Sequence, residues 1–158
     1  MANRRKTLKV WDAINGAEGR CIATIDGNVE DMIYVKDIEA KVEKEKSEIK
    51  VLGQTGTKHK ANGWKGKGSM TMYYATTLFR KMMVKYMDEG VDTYFDLLIE
   101  NEDPSSDIGK QTIILKQVNL DGIDIAKLDI DSKELDEELD FTFNGVEIRN
   151  EFGQVVGE

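Results

Sequence analysis

One segment of the 158-residue chain constrains the fold more than any other, because it alternates apolar and charged residues over an unusual length. Between Met32 and about Lys46, the apolar residues Ile38, Ala40 and Val42 occupy every second position. The charged residues between and beyond them are Asp37, Glu39, Lys41, Glu43 and Glu45. Successive side chains of a strand point to opposite faces, so this period of two predicts a strand with one wet, mostly acidic face. At about 3.3 Å per residue it could extend roughly 40–50 Å, whereas strands usually have about five or six residues.

A glycine-rich stretch, residues 53–68, follows this strand and carries four lysines and no acidic residue. Loops longer than about 12–15 residues in a compact domain are usually functional or disordered. We therefore predict a long basic loop at 53–68. Alternation resumes from Ser69 to Tyr74, which predicts a returning strand and an extended hairpin with a basic tip.

Turn and cap signals organise the rest of the chain. Residues 1–19 are predicted to form an N-terminal arm with one turn, and Arg20–Ile25 a short strand closed by a hairpin turn at 26–28. A helix is predicted at 76–89, begun by Thr76 or Thr77 and ended by Gly90. Its apolar stripe would comprise Leu78, Phe79, Met82, Met83, Tyr86 and Met87, with Arg80, Lys81 and Lys85 on the opposite side.

Further strands are predicted at 94–100, 110–120, 123–130 and 139–144, with a turn around Pro104 and a hairpin at Asp121-Gly122. Many strands with one inserted helix predict a mainly β protein, a β-sandwich or barrel with a helix on its flank. No linker or solenoid repeat divides the sequence, so we expect a single domain over residues 1–158.

The composition of the chain limits the classes of function that it can have. Cys21 is the only cysteine, which indicates a buried small side chain in a protein made in a reducing cytoplasm. No run approaches the roughly 20 apolar residues of a membrane span, so no membrane insertion is expected. The formal net charge of −8 and the pI near 4.8 disfavour tight nonspecific binding to phosphates.

Patterns that would indicate catalysis or a cofactor are incomplete. Residues 63–69 resemble a phosphate loop, but Gly68 separates Lys67 from Ser69, where a Walker pattern needs the two adjacent. His59 is the sole histidine, and Asp129, Asp131 and Glu134 lack the glycine of a calcium loop. We therefore predict no enzyme, no cofactor, no catalytic residues and no metal site.

Six stretches, taken in order, carry a resemblance to a known family. They are residues 16–27, 50–53, 56–71, 92–96, 101–106 and 127–132. Together they resemble the tail tube protein of PBSX-type defective phages over roughly residues 10–145. Similar tube proteins serve contractile phages, R-type bacteriocins and, more distantly, type VI secretion.

This resemblance implies a structural subunit of a virion tail or phage-like particle. Six subunits would pool their sheets into one continuous inner β-barrel, and rings would stack into a hollow conduit for DNA or for membrane puncture. The implied partners are further copies of the chain, a contractile sheath, baseplate or initiator, tape measure and terminator proteins. DNA would pass through without sequence-specific binding.

Two surfaces are then predicted for assembly. The wet face of the long strand, Asp37, Glu39, Glu43 and Glu45, is the candidate lumen lining, because repeated carboxylates repel DNA phosphates. An ordinary solvated sheet face is the alternative. The basic loop would dock on a neighbouring subunit or ring through Lys58, Lys60, Trp64, Lys65 and Lys67. Its candidate acidic docking patch is Glu134, Asp136, Glu137, Glu138 and Asp140.

Two other interpretations of the loop remain open. A flexible solvated loop is one. The other is an OB-like nucleic-acid-binding module, in which the loop lysines act with Trp64, Tyr73 and Tyr74 to stack on single strands.

Overall fold

The computed structural model describes residues 9–10 and 19–153, which contain eight strands and one helix. The strands are β1 (Gly19–Ile25), β2 (Asn28–Asp31), β3 (Val35–Ile49), β4 (Lys58–Tyr73), β5 (Phe95–Glu102), β6 (Lys110–Leu120), β7 (Asp136–Phe143) and β8 (Gly145–Asn150), and the helix is α1 (Leu78–Glu89). The mainly β class with one helix is therefore confirmed. The predicted N-terminal arm lies outside the described residues, except for residues 9, 10 and 19. No helix within those ranges is long and apolar enough to cross a membrane.

The chain folds into two compact units, each assembled from segments that are separate in the sequence. The first takes its described residues from Met1–Ile33, Phe95–Lys116 and Val146–Glu158. The second comprises Tyr34–Tyr94 and Gln117–Gly145. The single domain expected over residues 1–158 stays a prediction.

The first unit is an antiparallel sheet in which β1 pairs with both β2 and β5. The predicted turn after β1 is confirmed, since Asp26 (φ 50°) and Gly27 (φ 81°) both have the positive φ that a two-residue hairpin turn requires. Ala23 and Leu97 are fully buried between these strands. The turn predicted around Pro104 is also present, where the Ser105 backbone N–H and hydroxyl both donate to Asp103 Oδ1.

Cys21 lies in the core of this first unit, with 7% of its surface exposed and its Sγ 3.9 Å from Met32 Sδ. Burial, reinforced by the nearby charge of Asp31, raises the pKa of the thiol to about 12. Because the thiolate is the reactive form, the native protein should react with an aromatic disulfide reagent at about pH 8 at least roughly 100-fold more slowly than the unfolded chain. Labelling rates with and without denaturant test this expectation, and native and denatured rates within tenfold of each other would contradict it.

The second unit is built on the β3–β4 hairpin, whose other long neighbour is β7 on the far side of β4. The end of β6 joins β7 at Asn119 and Leu120. The predicted strand at 139–144 is confirmed within β7, since Leu139, Phe141 and Phe143 alternate inward and are buried. The helix contributes Phe79, which is fully buried.

Local chemistry fixes the ends of α1. Gly90 has φ 68° and its N–H donates to the Tyr86 carbonyl, so the predicted glycine C-cap is confirmed. Thr77 occupies the N-cap position without a side-chain bond, and Thr76 Oγ1 instead accepts from the Leu78 N–H.

The predicted sides of the helix are partly wrong. Tyr86 is 51% exposed and Met87 67% exposed, although both were placed on the inward stripe. Arg80, predicted to face solvent, is buried. The reason is a buried acid on β7 that pairs with this arginine, a partner that helical periodicity alone cannot reveal.

Three further sequence predictions are wrong. Most of the predicted loop at 53–68 belongs to β4, which begins at Lys58, because Gly66 and Gly68 pack under aromatic rings of β7. The strand predicted at 123–130 is absent, and Ile125, Leu128 and Ile130 are exposed by 49%, 96% and 98%, so the segment has no buried face to hold it in a sheet. With no strand at 123–130, the hairpin predicted at Asp121-Gly122 does not form, and the end of β6 pairs with β7 instead.

Candidate assembly surface

The register of β3, β4 and β7 sorts their side chains onto two faces, because residues directly opposite each other on neighbouring strands point the same way. Irregularities near Lys36 and Asn62 interrupt the β3–β4 register. Between them, one face, here called the charged face, carries Asp37, Glu39, Lys41, Glu43, Glu45, Lys65, Lys67, Glu138 and Asp140. The other, here called the aromatic face, carries Ile38, Ala40, Val42, Lys44, Trp64, Gly66, Gly68, Met70, Met72, Glu137, Leu139, Phe141 and Phe143.

All four sequence-predicted lumen carboxylates lie on the charged face. The structure adds residues that the sequence did not place there. Lys65 stands opposite Glu43 and its Nζ lies 3.7 Å from Glu45 Oε1, while Lys41 stands directly opposite Lys67. The face therefore holds six carboxylates and three amines, a net negative but mixed surface. Exposed ion pairs of this kind contribute only about 0–1 kcal/mol each, so they do not explain the arrangement as a stability device.

The aromatic face is packed where three strands meet. Phe143 lies across Gly66 and Phe141 across Gly68 on the neighbouring strand. A Cβ added to Gly68 would lie 2.3 Å from Phe141 Cζ, so glycine is required for this approach. Trp64 continues the row at 6.5 Å between its ring centroid and that of Phe143, and it remains 47% exposed.

Beyond this packed region the hairpin projects as a two-stranded ribbon, formed by residues 42–49 of β3 and 58–65 of β4. β7 pairs only with Gly66–Tyr73, so among the described residues the ribbon has no third strand. Val42 is 51% exposed and Leu52 at the tip 102% exposed. The predicted basic tip is thus wrong in detail, because Lys58 and Lys60 lie in the strand. A two-stranded ribbon is marginally stable on its own in water, which favours a role in contacting another chain.

Among the described residues, no strand pairs with the outer edge of β3. Strand order in the described sheet ends at β3, a strand of 15 residues. An edge of this length presents a row of backbone N–H and C=O groups that can pair with another chain.

The predicted acidic docking patch is not one surface. Glu137 points into the core, whereas Glu138 and Asp140 point to the charged face, as the period of two requires. Asp136 bonds to Lys36 at 2.9 Å, and this hydrogen bond raises the pKa of the lysine. Glu134 is exposed and precedes β7.

Glu137 instead forms a buried ion pair that sequence analysis missed. Arg80 Nη1 donates to both Glu137 carboxylate oxygens at 3.1 and 3.0 Å, and Nη2 donates at 3.3 Å. The guanidinium also lies 4.1 Å from the centroid of the Tyr74 ring. Burial raises the pKa of Glu137, and the charge of Arg80 opposes that rise. In the sequence, Glu137 lies two positions before Leu139 and four before Phe141. This alternation places its side chain on the same inward face and could have indicated that the glutamate is buried.

Residues 9–10 and 19–153 contain no group of three or more His, Cys, Asp or Glu side chains arranged to hold a metal ion. What the geometry offers is surface for other chains: a mixed-charge face, an exposed ribbon and an open sheet edge.

Solved structures share this fold. A chain of the anti-feeding prophage baseplate superimposes with a TM-score of 0.63 at 11% identity, covering 94% of this chain and 97% of that chain. The SPP1 tail tube gives a TM-score of 0.62 at 9% identity, covering 90% of this chain and 81% of that chain. A chain of the sheath-tube complex of an extracellular contractile injection system gives 0.59 at 13% identity, covering 95% of this chain and 93% of that chain. The fold is that of tail tube subunits.

The chain belongs to the phage tail tube protein family, whose model matches residues 6–150. It is 41% identical over 141 residues to the phage-like element PBSX protein XkdM of Bacillus subtilis (strain 168), covering 89% of this chain and 93% of that protein. Uncharacterized protein YqbM of the same strain matches to the same extent. The resemblance drawn from the six sequence stretches is confirmed, and the chain is a structural tail tube subunit of a phage or phage-like particle.

Proposed function

We propose that six copies of the chain close into a ring through their sheet edges, and that rings stack head to tail into a hollow tube. The observation that carries this proposal is the open 15-residue edge of β3. An edge of this kind is an aggregation hazard unless another chain covers it. A heterologous contact that closes by rotation covers every such edge in a ring, and a second head-to-tail contact produces a filament.

The charged face is assigned to the lumen of this tube. The aromatic face is already covered in its packed region, where Met70, Leu139 and Phe141 are fully buried, so the charged face is the one available to line an aqueous channel. Its excess of carboxylates, repeated around each ring, would repel the phosphates of passing DNA. The three lysines lessen this field, so the proposed lumen repels polyanions moderately.

The proposed partners are the other components of a tail. The structural relatives come from a baseplate, a tube-terminating cap and a sheath-tube complex. By analogy, we assign this chain a surrounding sheath, a baseplate initiator, a tape measure and a terminator. The tube would carry DNA in a packaging phage or puncture a membrane in a bacteriocin-like particle. This assignment includes no catalytic role.

The OB-like alternative lacks structural support. Trp64 and Tyr73 lie an odd number of positions apart on β4 and point to opposite faces of the sheet. Tyr74 lies against the guanidinium of Arg80. The three rings therefore do not form one platform on which successive bases could stack.

Electron microscopy of the purified protein, with its solution mass at low and high concentration, tests the proposed function. We expect six-fold rings or hollow tubes whose proportion rises with concentration, because the edges of β3 are satisfied only by association. A monomer at every concentration would contradict the ring. A tube map that places Glu39 and Glu43 on the outer wall would contradict the lumen assignment alone.

A further inference from the structure

Helix α1 has an exposed apolar stripe in addition to its buried side. Val84 is 42% exposed and Met87 67% exposed, and they follow each other at the three-residue spacing of one helix face. Val91, just after the glycine cap, is 45% exposed. A surface helix of a subunit that stays alone normally presents polar residues outward, so apolar residues on both sides indicate a covered helix.

The last turn of this helix also breaks a rule of helix electrostatics. Asp88 and Glu89 lie at the C-terminal end, and the last turn contains no basic residue. The partial negative charge of that end disfavours carboxylates by roughly 0.3–1 kcal/mol each. Neither acid forms an ion pair with any residue in the described ranges. Unfavourable local interactions that nothing else in the subunit offsets tend to lie at functional surfaces.

The chain itself carries a surface of complementary chemistry on the ribbon. On the aromatic face, Val42 and Trp64 are half exposed, and Lys44 stands directly opposite Trp64. Lys46 follows two positions along β3 and is also exposed. Neither lysine pairs with an acid among the described residues. The ribbon thus presents apolar side chains beside two amines, and the end of α1 presents apolar side chains beside two carboxylates. The two surfaces are complementary in charge.

We propose that the helix-end surface, formed by Val84, Met87, Asp88, Glu89 and Val91, receives the ribbon of a second copy of this chain. Lys44 and Lys46 face Asp88 and Glu89, while Trp64 and Val42 cover Met87 and Val84. Eight strand residues at about 3.3 Å each give the ribbon a reach of roughly 25 Å, enough to extend to a neighbouring subunit. This inference rests on the proposed function, because it requires copies that assemble, and it replaces the acidic patch predicted from sequence.

Charge reversal on each side tests the contact. Asp88→Lys with Glu89→Lys, and separately Lys44→Glu with Lys46→Glu, should each raise the critical concentration for tube assembly at least about tenfold, because like charges then meet. The four substitutions combined should bring it back to within about threefold of the wild type. Asp131→Lys with Glu134→Lys makes the same charge change on exposed residues outside the contact and should leave assembly unchanged. Circular dichroism checks that every variant is folded.

Disulfide trapping gives a second, independent measurement. In a Cys21→Ala background, Lys44→Cys with Glu89→Cys should give a ladder of covalent oligomers on oxidation, since the proposed contact brings these two positions together between copies. A wild-type protein that stays monomeric overturns both this inference and the proposed function. Wild-type tubes together with unaffected assembly of the Asp88→Lys, Glu89→Lys variant overturn this inference alone. So does a reversal at Asp88 and Glu89 that blocks assembly and is not rescued by Lys44→Glu with Lys46→Glu, because the helix end then contacts a different part of the second copy.

Discussion

Arg80→Leu is expected to lower the free energy of unfolding by about 3–5 kcal/mol, because it leaves the Glu137 carboxylate buried without its partner. Glu137 is 1% exposed, and Arg80 donates three hydrogen bonds to its carboxylate. The substitution also removes the contact with the Tyr74 ring. Urea titration followed by circular dichroism measures the loss. A change below about 1 kcal/mol would show that water reaches the carboxylate.

The double variant Arg80→Leu, Glu137→Leu should recover most of this loss. Burial raises the pKa of Glu137 in spite of Arg80, so the desolvation of this carboxylate outweighs the attraction of the arginine. Buried ion pairs can therefore often be replaced by apolar residues at little cost. A double variant as unstable as the single one would contradict this account and would assign the loss to packing of the arginine stem.

The same pair predicts the sign of a pH effect. Because the pKa of Glu137 is raised on folding, the folded protein binds this proton more tightly than the unfolded chain does. The contribution of Glu137 to stability is therefore fully present below the unfolded pKa and is lost as the pH rises through the folded pKa. In Arg80→Leu the opposing charge is gone, so the fall in stability with rising pH should be steeper than in the wild type.

Sequence patterns predicted those elements whose shape is set by nearby residues. The turn at 26–27 and the glycine cap at Gly90 follow from local backbone requirements, and β7 follows from the alternation of Leu139, Phe141 and Phe143. The four carboxylates at 37, 39, 43 and 45 share a face for the same reason. In each case the structure depends on the alternation of side chains along a strand or on the φ angle of a single residue.

The rest depended on partners distant in the sequence. Residues 58–68 read as a loop because glycine is a poor strand former, yet Phe141 and Phe143 of β7 require glycine opposite them. Arg80 read as solvated because Glu137 lies on another element. The presence of Lys65 and Lys67 on the charged face follows from the β3–β4 register, which irregularities near Lys36 and Asn62 set. No window of sequence contains that information.

The second large effect on stability is expected at the contact between Gly68 and Phe141. Phe141→Ala should destabilise the protein by about 3–5 kcal/mol, since the ring is fully buried and its removal leaves a cavity. Gly68→Ala should cost about 1–3 kcal/mol by overpacking. The added methyl group would lie 2.3 Å from Phe141 Cζ and 2.7 Å from the Glu39 carbonyl oxygen.

Combining these two substitutions tests whether it is the ring of Phe141 that excludes a side chain from position 68. In the Phe141→Ala background the methyl group of Ala at position 68 enters space that the ring has left, so Gly68→Ala should cost at least about 1 kcal/mol less than in the wild type. The carbonyl of Glu39 remains, so the relief should be incomplete. Gly63→Ala on the same strand is the matched control, because a Cβ there meets nothing within 4 Å, and it should be neutral or stabilising by about 0.4–1 kcal/mol. Additive costs for Gly68→Ala and Phe141→Ala would mean that the backbone of β3, and not the aromatic ring, excludes a side chain from position 68.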